Sequence, residues 1–121
     1  MDENRPARLE RGRRRQPHRT HHRTGAGHAR LEGLAGQLDL AFIDANKDDY
    51  DAYYERCLKL VRPGGLVLID NVLWGGSVAN LAIDDRDTKA IRVLNAKLKS
   101  DERVDLALFT VGDGMTCALK R

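Results

Sequence analysis

Apolar and polar positions follow no repeat through residues 1–37, but from Leu38 onward strand-like runs alternate with helical stripes. "LDLAFID" (38–44) is a short apolar run that predicts a buried strand. "DDYDAYYERCLKLV" (48–61) places Tyr50, Tyr54, Cys57 and Val61 on one helical face, with Tyr53 and Leu58 beside them. Asp48, Asp49 and Asp51 crowd its first turn, where the helix dipole favours negative charge. "RPGG" (62–65) is expected to stop this helix, and "LVLID" (66–70) to form the next strand. Strand, helix and strand with short links make a βαβ unit, so these two strands should run parallel in one sheet.

A polar loop follows, and then a helix from about Asp87 to Lys99 with Ile91, Leu94 and Leu98 at helical spacing. "RVDLALFTV" (103–111) and "MTCALKR" (115–121) read as strands joined by "GDG" (112–114). That link is too short for a crossover and suits a hairpin, so the last strand should be reversed. The predicted fold class is α/β: an open sheet of parallel strands with a reversed final β-hairpin.

Charge divides the chain in the same place. Residues 1–37 carry nine Arg and no Lys against Asp2, Glu3, Glu10 and Glu32, whereas residues 38–121 carry twelve basic and fourteen acidic side chains. The basic segment allows three readings. An arm for nucleic acid has the charge but no aromatic to stack on a base, which disfavours that partner. Metal binding through His18, His21, His22 and His28 lacks any Cys or patterned scaffold. Text read out of frame from a GC-rich gene fits the Arg-rich, Lys-free composition best, which would make 1–37 foreign to the domain at 38–121. "GAGHARLEG" (25–33) fails as a dinucleotide loop because Arg30 stands where a third glycine belongs.

At 121 residues the chain is one domain at most, small for a complete α/β enzyme. Cys57 and Cys117 have no metal-type spacing and are expected to be buried thiols of a cytoplasmic protein. No apolar run approaches a membrane span, and the N-terminus lacks the apolar core of a signal peptide.

The predicted topology brings distant residues together. Parallel strands end at one edge, where open α/β sheets bind ligands. Asp44 ends the first strand, and in "VLIDNVLW" (67–74) Asp70 and Asn71 end the second. Two carboxylates and an amide oxygen form a hard ligand set suited to Mg²⁺, Mn²⁺ or Ca²⁺. Lys47 in "DANK" is close enough to reach the same cleft. Taken singly, these residues read as well as a helix cap, a turn and a surface lysine, and Trp74 as core. Only their convergence argues for a site.

At these residues the chain resembles the cation-dependent O-methyltransferases of the caffeoyl-CoA and catechol type. The resemblance spans 38–121, through "DLAFIDANKDDYDAYYERCLKLVRPGGLVLIDNVLWGGSV", "DTKAIRVLNAKL" and "GDGMTCALKR". It implies the C-terminal half of a class I, Rossmann-like methyltransferase domain that uses S-adenosylmethionine and a divalent cation. It further implies Asp44, Asp70 and Asn71 as metal ligands, Lys47 as general base and Trp74 against an aromatic acceptor. Asp44 would be shared with the cofactor side, and a homodimer would be the assembly. Where the family has "DADK" this chain has "DANK", which places Asn46 beside the acceptor. The family's glycine-rich methyl-donor loop has no counterpart in 1–37. The expectation is therefore an O-methyltransferase acting on a catechol-like or hydroxycinnamoyl-type hydroxyl, truncated on its donor side. The alternatives are an inactive fragment that does not bind the methyl donor, and a basic-arm nucleic-acid-binding protein.

Overall fold

The apolar run at the start of the patterned region is a strand, β1 (Leu38–Ile43), and it lies parallel to β2 (Val61–Asp70). The structure is a computed structural model that describes residue 31 and residues 33–121. The arginine-rich arm, the four histidines and residues 25–30 fall outside the described residues.

Between these strands a 3₁₀ turn (Lys47–Asp49) leads into helix α1 (Tyr50–Leu60). The helix buries Tyr50, Tyr54 and Leu58, four residues apart, which narrows the predicted stripe. Tyr53 is exposed, Cys57 is half-buried and Val61 already belongs to β2. Cys117 is also half-buried, so neither thiol is the fully buried group expected, although burial pushes the Cys57 thiol up.

The expected break at Arg62–Gly65 is instead the first half of β2. Pairing jumps from Leu38–Val61 to Leu40–Leu66, so the extra residues of β2 bulge out of the ladder. Gly65 makes this feasible: a Cβ there would stand 2.3 Å from Val61 Cγ1 and 2.9 Å from the Asp39 carbonyl. Arg62 Nε spans the irregularity to Asp39 Oδ1 at 2.6 Å.

Helix α2 (Arg86–Ser100) starts one residue before the predicted boundary because Asp85 caps it. Its carboxylate accepts from Thr88 N at 2.9 Å and from Thr88 Oγ1 at 2.7 Å. The final hairpin is β3 (Val104–Phe109) and β4 (Met115–Lys120), each shorter than its apolar run. The sheet order is β1-β2-β4-β3, with β4 antiparallel to both neighbours, as the short link requires.

Tyr54, Leu58, Leu94 and Leu98 from the two helices meet Val67, Ile69, Val104 and Ala118 of the sheet in one core. The opposite sheet face keeps Leu40, Phe42, Phe109 and Leu119 exposed. No helix among the described residues is long and apolar enough to cross a membrane.

Candidate functional site

Because β1 and β2 are parallel, Asp44 after β1 and Asp70–Asn71 at the end of β2 emerge at the same sheet edge. Lys47 swings back into that edge. It is only 7% exposed, unusual for a charged side chain, and every ammonium proton has a taker. Nζ donates to Asn71 Oδ1 at 2.8 Å, to Ala45 O at 3.1 Å and to the Tyr50 hydroxyl, with Asp44 Oδ1 at 3.7 Å. It also lies 4.4 Å from the Tyr50 ring centroid and 5.2 Å from that of Trp74, within cation–π range.

Tyr50 therefore belongs to the site, where its periodicity had suggested core alone. Its hydroxyl donates to Asp70 O at 3.0 Å, linking Lys47 to the β2 end. Burial is the main influence raising its phenol pKa, against the lowering effect of Lys47.

The segment after β2 carries backbone conformations that side chains seldom adopt. Asn71 has φ 65° and Trp74 φ 50°, with Gly75 and Gly76 also left-handed. Asn tolerates this region; for Trp it costs about 1–3 kcal/mol, which the surroundings must offset. The surroundings are specific. Leu73 N donates to Asp113 O at 2.8 Å, Val72 N to Gly114 O at 3.2 Å, and Asn95 Nδ2 to Val72 O at 2.8 Å. Asn71 Nδ2 donates to Asp113 Oδ2 at 3.3 Å. The "GDG" turn is thus both a hairpin link and a wall of the site. Gly114 is required there, since a Cβ would lie 2.4 Å from Leu73 Cγ and its φ is 80°.

The structure brings Asp44, Lys47, Asn71 and Trp74 together, with Asp70 engaged locally: its Oδ1 accepts from Asn71 N at 2.7 Å. Asn46 stands apart, exposed, with Nδ2 donating to Asp49 Oδ2 at 3.3 Å within its own turn. Among the described residues no three His, Cys, Asp or Glu side chains converge, so a cation here depends on the Asn71 amide oxygen. The donors fit a hard cation in kind: the Lys47 ammonium already stands against Asp44 and Asn71 oxygens as a cation would. An open groove of about 310 Å³ runs between α2 and β3, lined by Val72, Leu73, Asn95 and Leu108 among others.

A mixed α/β sheet with parallel strands and a reversed last hairpin is the arrangement of the class I methyltransferase fold, and solved structures it resembles include O-methyltransferases. The O-methyltransferase family model matches residues 17–121, and the chain belongs to that family. The match begins inside the basic segment, upstream of β1. Over 88 residues the chain is 50% identical to caffeoyl-CoA O-methyltransferase 2 of Zea mays, covering 67% of this chain and 33% of that protein. It is 41% identical over 88 residues to catechol O-methyltransferase domain-containing protein 1 of Mus musculus, covering 73% and 34%. Among solved structures, the O-methyltransferase TomG of Streptomyces achromogenes, in complex with SAM, superposes with TM-score 0.65 at 33% identity, covering 78% of this chain and 46% of TomG. The chain spans about a third of the length of these two curated relatives.

Proposed function

We propose that the cleft at Asp44, Lys47, Asn71 and Trp74 is the cation and acceptor side of an S-adenosylmethionine-dependent O-methyltransferase. The acceptor class is an aromatic ring with vicinal oxygens, catechol-like or hydroxycinnamoyl-type. The observation that carries this is the buried Lys47 ammonium, held between the Asp44 carboxylate and Asn71 Oδ1 beside the Trp74 ring. Such a position would otherwise be an expensive place for a charge.

Asp44, Asp70 and Asn71 would hold a divalent cation (Mg²⁺, Mn²⁺ or Ca²⁺), which would supply the charge that acidifies and orients one of two vicinal hydroxyls. Lys47 would first release a proton to solvent, and the neutral Nζ, within hydrogen-bond reach of the cleft, would then take the hydroxyl proton. Trp74 packs on the acceptor ring. The acceptor oxygen then bonds to the methyl carbon as the sulfonium carbon–sulfur bond breaks, leaving S-adenosylhomocysteine. Much of the acceleration comes from holding the reacting atoms in line. The SAM complex of TomG supports the choice of donor.

The test is methyl transfer from labelled S-adenosylmethionine to a panel of catechols, with and without chelator, alongside calorimetric titration of Mg²⁺. Turnover that stops with chelator and returns with Mg²⁺ is expected, with loss of cation binding in Asp44→Asn and Asn71→Ala. Absence of Mg²⁺ binding by the parent chain overturns the cleft assignment. The second reading, a fragment that binds cation and acceptor without the donor, is favoured by the one-third span of the two curated relatives. Calorimetric binding of S-adenosylmethionine excludes it.

A further inference from the structure

We infer that Asp113, in the turn between β3 and β4, is a positioning residue that sets the orientation of the Asn71 amide and so presents Oδ1 to the cleft. The inference rests on that cleft being the cation site proposed above.

The Asn71 amide meets the Lys47 ammonium, which can only donate, the Asp113 carboxylate, which can only accept, and at 3.4 Å the Tyr50 hydroxyl, which donates to Oδ1. The Lys47 ammonium has no lone pair, so the Asn71 atom 2.8 Å from it must be oxygen. The Asp113 carboxylate has no proton, so the Asn71 atom 3.3 Å from it must be the NH₂ group. Without Asp113 the amide loses the partner that distinguishes its two ends on that side. A flipped amide would turn NH₂ toward the cleft, where it repels a cation instead of binding one.

Asp113 is itself held firmly. Its carbonyl accepts from Leu73 N at 2.8 Å, and the next residue's carbonyl accepts from Val72 N at 3.2 Å. Gly114 has no room for a Cβ against Leu73, so the turn seats directly on the segment that carries Asn71. A Cβ on Gly75 would be 4.0 Å from Asp113 Oδ1, while Oδ2 faces Asn71. A hairpin turn needs glycine and a turn former, and Asn, Ser or Asp would serve that purpose equally. Asp at this position does more, because its side chain reaches across to another strand end.

The experiment uses the full chain with two readouts, the Asn71 side-chain amide resonance and Mn²⁺ affinity by electron paramagnetic resonance. The amide signal is assigned by its disappearance in Asn71→Asp. In Asp113→Ala that signal should shift and lose protection from exchange, and Mn²⁺ affinity should fall about tenfold, the usual effect of losing a group that orients a metal ligand. Asp113→Asn retains an accepting oxygen and turn propensity, and should hold both readouts near the parent's. In an Asn71→Asp background there is no amide to orient, so adding Asp113→Ala should cost no affinity. An equal loss in both backgrounds would show a turn role only and overturn the inference, as would an unmoved amide signal in Asp113→Ala. If the parent binds no Mn²⁺, the cation reading fails, and the amide resonance alone decides whether Asp113 orients Asn71.

Discussion

Lys47 concentrates the chemistry of the molecule at the scale of one residue. Its ammonium is buried, fully engaged, and sits where a divalent cation would contact Asp44 and Asn71. Two positive charges at such separations repel strongly in a partly desolvated cleft. Lys47→Met should therefore separate binding from turnover. Mg²⁺ affinity should rise several-fold by calorimetry, while methyl transfer falls by at least about 10²-fold for want of a base. A parallel fall in affinity would show that the lysine assists the cation instead of competing with it. Tyr50 and Trp74 shape the same point, one through its hydroxyl and both through their ring faces.

Among the elements, the segment after β2 depends on α2 for its course. Arg92 donates to the carbonyls of Ser77 at 3.0 Å, Val78 at 3.1 Å, Asn80 at 2.7 Å and Ile83 at 2.9 Å, tying the loop beyond Trp74 to one guanidinium. Five donors in a planar fork suit that task, and a lysine could not reproduce it. Arg92→Ala should destabilise the chain by about 2 kcal/mol in urea melts, since the freed carbonyls turn to water and the loss approaches one charged hydrogen bond. Amide exchange should quicken across 77–83 while the α2 core around Leu94 and Leu98 stays protected. Uniform acceleration throughout the chain would mean that Arg92 supports the whole fold and not this loop.

At the scale of the whole molecule, charge ties the helices to the sheet. Arg103, just before β3, forks onto Glu55 of α1 at 2.8 and 3.0 Å and reaches Asp101 at 2.7 Å, while Lys97 of α2 bridges Glu55 and Asp51 at 2.6 Å each. Hydrogen bonding from Arg103, then Lys97, holds the Glu55 carboxyl at about 2, and Arg103 holds Asp101 below the usual carboxylate range. Both groups bind fewer protons folded than unfolded. Their contribution is thus complete above about pH 5 and lost as pH falls toward about 2. Thermal melts between pH 6 and pH 2.5 should show this decline, flattened in Arg103→Gln and in 1 M salt because the groups are partly exposed. A decline of equal size in Arg103→Gln would place its origin elsewhere. The other large-scale feature is the apolar sheet face, where Leu40 and Phe42 on edge strand β1 are each more than half exposed. Edge strands of this kind pair or aggregate. Sedimentation velocity should show concentration-dependent association that Phe42→Lys reduces.

Much of this was legible in local pattern. Apolar runs and helical spacing fixed four strands, two helices and a reversed hairpin, because strand alternation and helical period are properties of neighbouring residues. The convergence of Asp44 with Asn71 followed from the parallel βαβ rule. The helix ends at Leu60, just before RPGG, as expected, but the next strand starts earlier than predicted, because Gly65 permits the close approach that lets β2 begin at Val61. Tyr50 looked like core since its spacing matches the buried helical stripe, and the acceptor of its hydroxyl, on Asp70, lies twenty residues away. Asp113 was hidden for the same reason, 42 residues from the amide it faces. The sequence by itself determined the elements, their order and the set of oxygen donors, because those depend on residue type and short spacing. Only the tertiary structure decided which way Lys47 points, which end of the Asn71 amide faces the cleft and what the GDG turn touches. Those depend on distances between side chains that no local period encodes.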